Sequence, residues 1–224
     1  MVSPMSLQVT RLELATLRGI DGSRWPVHGF LVTYPGGAAL VDTGVGGPQS
    51  WLDDWRVVNR SVADALEDHG LTPGDIGLVI NTHLHFDHCG QNAVFKHAAF
   101  HVQRTELERA RREAPELADW FDFMNARFEL LDGDTEILPG LSVIATPGHT
   151  SGHQSVLVRS ADGLSDVLIG DAAYQPKQYL NPQTDDLPEG QARDVAAWRA
   201  SVGRIKATGP DRVHFCHHTE IVHS

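Results

Sequence analysis

Cysteine is scarce in this chain, with Cys89 and Cys216 the only two among 224 residues. So few thiols exclude a disulfide-stapled scaffold and fit a reducing, cytoplasmic compartment. Positive charge is short as well. Lys and Arg number 18 against 29 Asp and Glu, for a formal net charge of −11. Such a surface repels polyphosphates and anionic bilayers, which argues against a nucleic-acid or membrane partner. Bound divalent ions would reverse that sign locally, so the argument concerns the surface and not a pocket. Long apolar runs are missing: nothing approaches membrane-spanning length, and Met1 to Ile20 alternates apolar and polar residues without a secretory apolar core. What remains is ordinary for one globular domain spanning residues 1–224, with 41% apolar and 21% charged residues and enough length for a real core.

Histidine, by contrast, is plentiful at 13 residues. Three of them share the stretch Thr82-His83-Leu84-His85-Phe86-Asp87-His88 with one carboxylate. In a strand or extended loop, side chains at i and i+2 point the same way, so His83 and His85 can grip one ion together. Asp87 continues that parity and His88 breaks it, so the chain turns there and lets Asp87 and His88 face a second ion. This is not the helical zinc pattern, which sets two imidazoles at i and i+4. Imidazole and carboxylate donors without thiolate suit zinc, or else iron, manganese or cobalt. The bland alternative is a His-rich surface loop.

The rest of the chain supplies the frame. Leu7 to Leu17 alternates in the β manner, and His28–Tyr34 and Ala38–Asp42 read as a hairpin across Pro35-Gly36-Gly37. Asp42 ends the second strand, as a turn former or as a partner to a ligand imidazole. Val45 to Trp55 reads as a Gly-rich loop whose Trp51 and Trp55 anchor it or pave a pocket wall. Ser61 to His69 reads as a helix with Val58, Val62 and Leu66 on its apolar stripe and Gly70 at its end. Leu78-Val79-Ile80 is a buried strand that delivers the His motif. Ala99–Gln103 is a further strand. Helices follow over 106–112 and 117–125, with Arg109, Arg111 and Arg112 on a solvated face. Strands at 141–145, 155–158, 166–171 and 211–216 come next, the last being the final strand. The segment 174–189, with three prolines, is a long loop, and 191–206 is a helix with Val195, Trp198, Val202 and Ile205 on one face. Four strands thus end in a candidate ligand, at 83–88, His149, Asp171 and His217, which suggests one convergent site. Cys89 and Cys216 flank ligand candidates and read as small buried fillers, a second role beside the metal or in redox being the alternative. His28, His69, His97, His101, His153, His214 and His223 read as bystanders, His153 as a packing or hydrogen-bonding residue.

The order His-x-His-x-Asp-His, then His in Pro147-Gly148-His149-Thr150, Asp in Gly170-Asp171-Ala172 and His in Cys216-His217-His218 resembles the metallo-β-lactamase fold superfamily. The resemblance implies an α/β fold of αββα type, two mixed sheets face to face with helices outside. It also implies two divalent ions: His83, His85 and His149 on the first, Asp87, His88 and His217 on the second, and Asp171 bridging. The family has Gly-His-Asp where this chain has Cys216-His217-His218, so a one-residue shift would put His218 in place of His217. Within the superfamily the chain is similar to the N-acyl-homoserine lactonases, because Tyr174 lies three residues after Asp171 and the motif is worded His-Leu-His-Phe-Asp-His. That likeness implies a hydrolase opening a lactone with a metal-bridging hydroxide, Tyr174 steadying the oxyanion and Asp87 moving a proton to the leaving oxygen. A buried structural tyrosine is the plain alternative for Tyr174. A glyoxalase II type thioesterase and a mononuclear-iron persulfide dioxygenase are the competing readings; the first would want a basic cluster, and Arg193, Arg199, Arg204 and Lys206 lie on the helix near the C-terminus with three of the four spread around its surface. The implied partner is a small lactone or ester, with the oligomeric state, a homodimer included, left open.

Overall fold

The computed structural model describes residues 6–18, 22–160 and 162–223. Residues 1–5 and 19–21 of the leading stretch read above as leaderless lie outside them.

Two sheets carry the chain. The first contains β1 (Gln8–Arg18), β2 (Arg24–Tyr34), β3 (Gly37–Val41), β4 (Val58–Asn59), β5 (Ile76–Ile80), β6 (Ala99–Gln103) and β7 (Arg127–Leu131), in the order β4-β1-β2-β3-β5-β6-β7. The second contains β8 (Thr135–Leu138), β9 (Leu141–Ala145), β10 (Gln154–Arg159), β11 (Ser165–Leu168), β12 (Arg212–His214) and β13 (Ile221–His223), in the order β13-β12-β11-β10-β9-β8. Both are mixed. The β1-β2-β3 meander is antiparallel, whereas β3, β5, β6 and β7 run parallel. In the second sheet only β11 and β12 pair in parallel.

The two sheets meet through alternate residues of their strands, as period-2 side-chain direction requires. Phe30, Val32, Ala39, Val41 and Ile80 from the first pack against Leu141, Val143, Val156, Val158 and Leu168 from the second. Helices cover the outer faces. The outer side of the first sheet buries Val62, Ala65 and Leu66 of α2 (Val62–Glu67) with Leu40, Val79 and Phe100. The outer side of the second buries Trp198, Val202 and Ile205 of α6 (Val195–Ala207) with Val167, Val213 and Phe215. The remaining helices are α1 (Gln49–Asp54), α3 (Arg104–Glu113), α4 (Ala118–Phe121) and α5 (Pro176–Leu180).

Several local expectations need correction. Ser61 does cap α2, its hydroxyl accepting from the Ala63 amide, but Val58 belongs to strand β4 and lies exposed instead of extending the helix stripe. The Gly-rich loop after β3 contains helix α1, and the proline-bearing stretch after Asp171 contains α5, started by Pro176 at its first turn. The helix over 117–125 shrinks to four residues, and β7 and β8, weakly alternating and partly exposed, had no clear period. Val195 begins α6 exposed, off the buried face. The strand at 211–216 is not last, because β13 pairs with it. The largest reversal is Arg109: it is 3% exposed and bound to the buried Glu106, while Arg111 and Arg112 are exposed as expected.

Candidate metal centre

The site begins at Asp42, where β3 ends. Its backbone takes φ +57°, a left-handed conformation Asp tolerates because its short polar side chain bonds locally. The carboxylate accepts the Thr82 amide (2.8 Å) and hydroxyl (2.7 Å) and sits 2.8 Å from His88 Nδ1. One side chain therefore fixes both ends of the 82–88 turn, so Asp42 is turn former and imidazole partner at once. The turn itself closes through the His88 and Cys89 amides, both donating to the His85 carbonyl. Gly90 follows where the loop after β3 crosses, and a Cβ there would lie 1.8 Å from the Gly46 nitrogen.

Three imidazoles from two sheets now converge. His83 Nε2 lies 2.9 Å from His85 Nδ1, and His149 Nε2 lies 3.2 Å and 3.0 Å from those two atoms. Donors on a tetrahedral zinc at about 2.0–2.1 Å stand about 3.3 Å from one another, so the spacing is close to that of a ligand face. Most of the ligand candidates have an outer nitrogen engaged elsewhere: His83 Nδ1 with the Thr82 hydroxyl, His88 Nδ1 with Asp42, His149 Nδ1 with the Gln191 carbonyl and His217 Nδ1 with the Pro26 carbonyl. Donation to those carbonyls and to Asp42 turns Nε2 inward, toward the other donors.

Asp171 stands between two groups of donors. Its Oδ2 is 3.2 Å from His149 Nε2 and 3.6 Å from His83 Nε2, while its Oδ1 is 3.3 Å from His88 Nε2 and 3.2 Å from His217 Nε2. Asp87 Oδ2 joins the second group, 3.5 Å from His217 and 3.8 Å from His88. The potential ligand atoms of His83, His85, His149 and Asp171 lie within 4.8 Å of one another, as do those of Asp87, His88 and His217. His88 Nε2 and Asp171 Oδ1 are buried without a hydrogen-bond partner, an arrangement that a cation between them would satisfy. These observations fit a pair of divalent ions.

Electrostatics divides the cluster the same way. Burial and adjacent imidazoles hold His83 and His85 well below the ordinary histidine range, and burial lowers His149 as well. Burial also works against charge on His88 and His217, but Asp171 and Asp87 outweigh it and raise both. Asp171 is held well below the carboxylate range, burial being overcome by His88, His217 and His149. The first group thus presents neutral lone pairs, and the second pairs imidazoles with acids.

Tyr174 closes one wall. Its ring stands 5.4 Å from His217, 5.8 Å from His149 and 5.7 Å from Trp25. Burial, then Asp171 and Asp87, push its hydroxyl well above the usual tyrosine range, so it stays a donor. Across the site Phe86 meets Trp51 at 5.7 Å and Trp55 at 6.2 Å, and Trp55 is 43% exposed, so Trp51 anchors the loop and Trp55 faces outward. His217 points into the cluster, whereas His218 turns away and accepts the Glu220 amide. Burial pushes both thiols up, Cys216 to about 12 and Cys89 higher still, so both stay protonated; Cys89 Sγ donates to the His85 carbonyl, and the Cys216 sulfur lies within 4.8 Å of donor atoms of Asp42 and His88.

Two residues the sequence did not single out hold this frame. Gln191 accepts the Tyr174 amide, donates to the Asp171 carbonyl and offers its own carbonyl to His149. Glu106 accepts the amide of Leu84, between His83 and His85. Neither carries a motif. His153, by contrast, follows its expected hydrogen-bonding role: Nε2 accepts the Asp171 amide, and burial keeps the ring neutral, its pKa lowered to about 3.

Residues 22–217 match the metallo-beta-lactamase superfamily, and the chain belongs to it. Among curated relatives, an N-acyl homoserine lactonase of a Bacillus species is 32% identical over 171 residues, covering 70% of this chain and 67% of that one. The enzyme of the same description from Bacillus thuringiensis is 30% identical over 178 residues, covering 73% and 68%. Among solved structures, a quorum-quenching N-acyl homoserine lactone lactonase superposes with a TM-score of 0.81 at 25% identity, covering 97% of this chain and 94% of that one.

Proposed function

We propose that this chain is a metal-dependent hydrolase that opens a lactone ring, with an N-acyl-homoserine lactone as the substrate class, acting as one domain in the cytoplasm. The observation that carries the reading is the split of Asp171 between two donor groups with Tyr174 beside them. His83, His85 and His149 would hold one divalent ion, Asp87, His88 and His217 the other, and Asp171 both. Zinc is the identity we infer, the same donors also suiting iron, manganese or cobalt. Two such ions, when bound, supply Lewis acidity toward a carbonyl oxygen and a water deprotonated near neutral pH.

The chain's own residues do the rest. The Tyr174 hydroxyl, protonated at any physiological pH, donates to the lactone carbonyl oxygen as negative charge develops there. Asp87 is the more accessible acid, its side chain 11% exposed against 3% for Asp171; it would take the proton given up by the attacking water and hand it to the ring oxygen as the ester bond breaks. Trp25, edge-on to Tyr174, and Phe86 would give the mouth an apolar lining suited to an uncharged acyl amide. No helix among the described residues is long and apolar enough to cross a membrane. The thioesterase reading gains no support from the four cations: Arg193 pairs with Glu113, Arg199 with Asp185, Arg204 with Asp134, and Lys206 donates to the Leu180 carbonyl.

The test is acid release by the zinc-loaded chain, followed at constant pH. Turnover of N-hexanoyl-homoserine lactone with S-lactoylglutathione untouched is the expected result. Failure on that lactone and on simple lactones would sink the assignment, and a single bound iron would favour the dioxygenase. Tyr174→Phe should retain both metals while kcat falls about 100-fold, the scale of one lost oxyanion donor.

A further inference from the structure

Glu106 lies in the first turn of α3, outside every motif, and its side chain is fully buried. Its Oε1 accepts the Leu84 amide at 2.9 Å, and its Oε2 accepts the Thr150 hydroxyl at 2.7 Å. Leu84 sits between His83 and His85 on the loop that leaves the first sheet. Thr150 follows His149 on the loop that leaves the second. We propose that Glu106 is the positioning residue that sets the distance between these two loops, and hence between the three imidazole nitrogens of the first metal site. This rests on the metal-centre reading above.

Several independent contacts support it. A buried carboxylate is costly unless paired and hydrogen-bonded, and an apolar side chain would fill the same space without that cost. Here the charge is met by Arg109, which is 3% exposed and donates to both oxygens, at 2.6 Å from Nη2 and 3.2 Å from Nε. The His149 loop is pressed onto the same helix turn, because a Cβ at Gly152 would come within 2.2 Å of the Glu106 nitrogen. From its other side, Trp198 of α6 closes on Gly148, where a Cβ would lie 2.4 Å from the Trp198 Cα. Packing thus holds the loop against α3 and α6, and the Glu106 carboxylate sets its distance from His83 and His85. Arg109 is also 3.7 Å from Glu113, which binds Arg193, whose amide donates to the Gly148 carbonyl. That gives the ion pair a second tether to the same loop.

The partners of the other donors lie elsewhere. His88 leans on Asp42 and His217 on the Pro26 carbonyl. The consequence of losing the Glu106 bridge is therefore one-sided. Three nitrogens within 3.2 Å of one another come from two sheets, and their separation, not their identity, decides how well one ion is held.

Thr150→Val tests this in the full chain, since it removes only the hydroxyl and keeps the side chain's shape. Chelator competition against zinc should show one of the two ions bound at least about 10-fold more weakly and the other unchanged, the usual cost of a lost outer partner. Thr150→Ser, which restores the hydroxyl, should recover the affinity, an outcome that general destabilisation would not produce. Two ions held with the affinity of the unaltered chain, or both weakened equally, would overturn the proposal. An unaltered chain that takes up two ions yet opens no lactone removes the substrate assignment and leaves this one standing. One that takes up no metal removes both.

Discussion

Replacing Asp42 by Asn isolates a single charge at the root of the site. Asn tolerates the left-handed backbone at this position and has almost the same shape, so the fold has little reason to move. The hydrogen bonds do change. The carboxylate accepts from the Thr82 amide, the Thr82 hydroxyl and His88 Nδ1 at 2.8, 2.7 and 2.8 Å. The backbone amide can only donate, so the Asn oxygen must stay with Thr82 N and its NH2 must face His88. His88 Nδ1 then has to accept, which moves the ring proton to Nε2 and aims it into the site. A protonated Nε2 cannot bind a cation, so the ion beside Asp87 and His217 should bind about 10- to 100-fold more weakly. Activity should fall further, because a misplaced histidine tautomer in other hydrolases costs about 10⁴-fold. The stability change is smaller, about 1–3 kcal/mol for a compromised buried hydrogen bond. Zinc content by elemental analysis, chelator competition and lactone turnover, measured together, check the chain of effects. Two tightly held ions and undiminished turnover in Asp42→Asn would refute the tautomer reasoning.

His28 gives a pH test. Burial, only partly offset by the bond to the Phe215 carbonyl, lowers its pKa from 6.5 to about 4. Above pH 6.5 neither state is protonated and His28 contributes no pH dependence. Below it the unfolded chain takes up a proton that the folded chain refuses, so stability falls as pH drops from 6.5 to about 4, by up to about 3 kcal/mol. His28→Leu should show a shallower loss across that window in urea unfolding, and an identical slope would count against the argument. Asp166 acts with the opposite sign. Burial raises it, but bonds from His214, Arg212 and Ser160 win and hold it far below the usual range, so its contribution is present above about pH 4 and fades below. Asp166→Asn should cost about 1.5–3 kcal/mol near neutral pH, with the gap from the parent closing in acid. Gly90→Ala should disrupt folding or destabilise by more than about 3 kcal/mol, because the new Cβ would sit 1.8 Å from the Gly46 backbone nitrogen, which has no side-chain freedom to yield. Thermal denaturation reads the result directly.

The amino-acid order alone picked out the candidate donors of the site, because ligand chemistry lives in residue type and short spacing. His83, His85, Asp87 and His88 share one turn, and His149, Asp171 and His217 each follow an apolar run that period and length mark as a strand. Those local signals also gave the β2-β3 hairpin and the Ser61 cap. They failed where burial came from distant chain. Arg109 sits among charges along α3 and looks solvated, yet it lies inside because Glu106 needs a partner and the His149 loop covers them both. Val58 fits a helical stripe by spacing but pairs with β1 as a strand, standing opposite Thr16 in an antiparallel register. Gln191 carries no motif, and its three contacts to the site are with residues 17 to 42 positions away. Only the folded sheets decide which outer atoms hold each imidazole, because those partners are set by loop crossings and not by periodicity. Residue type thus determined the chemistry on offer, and packing of the two sheets decided its geometry.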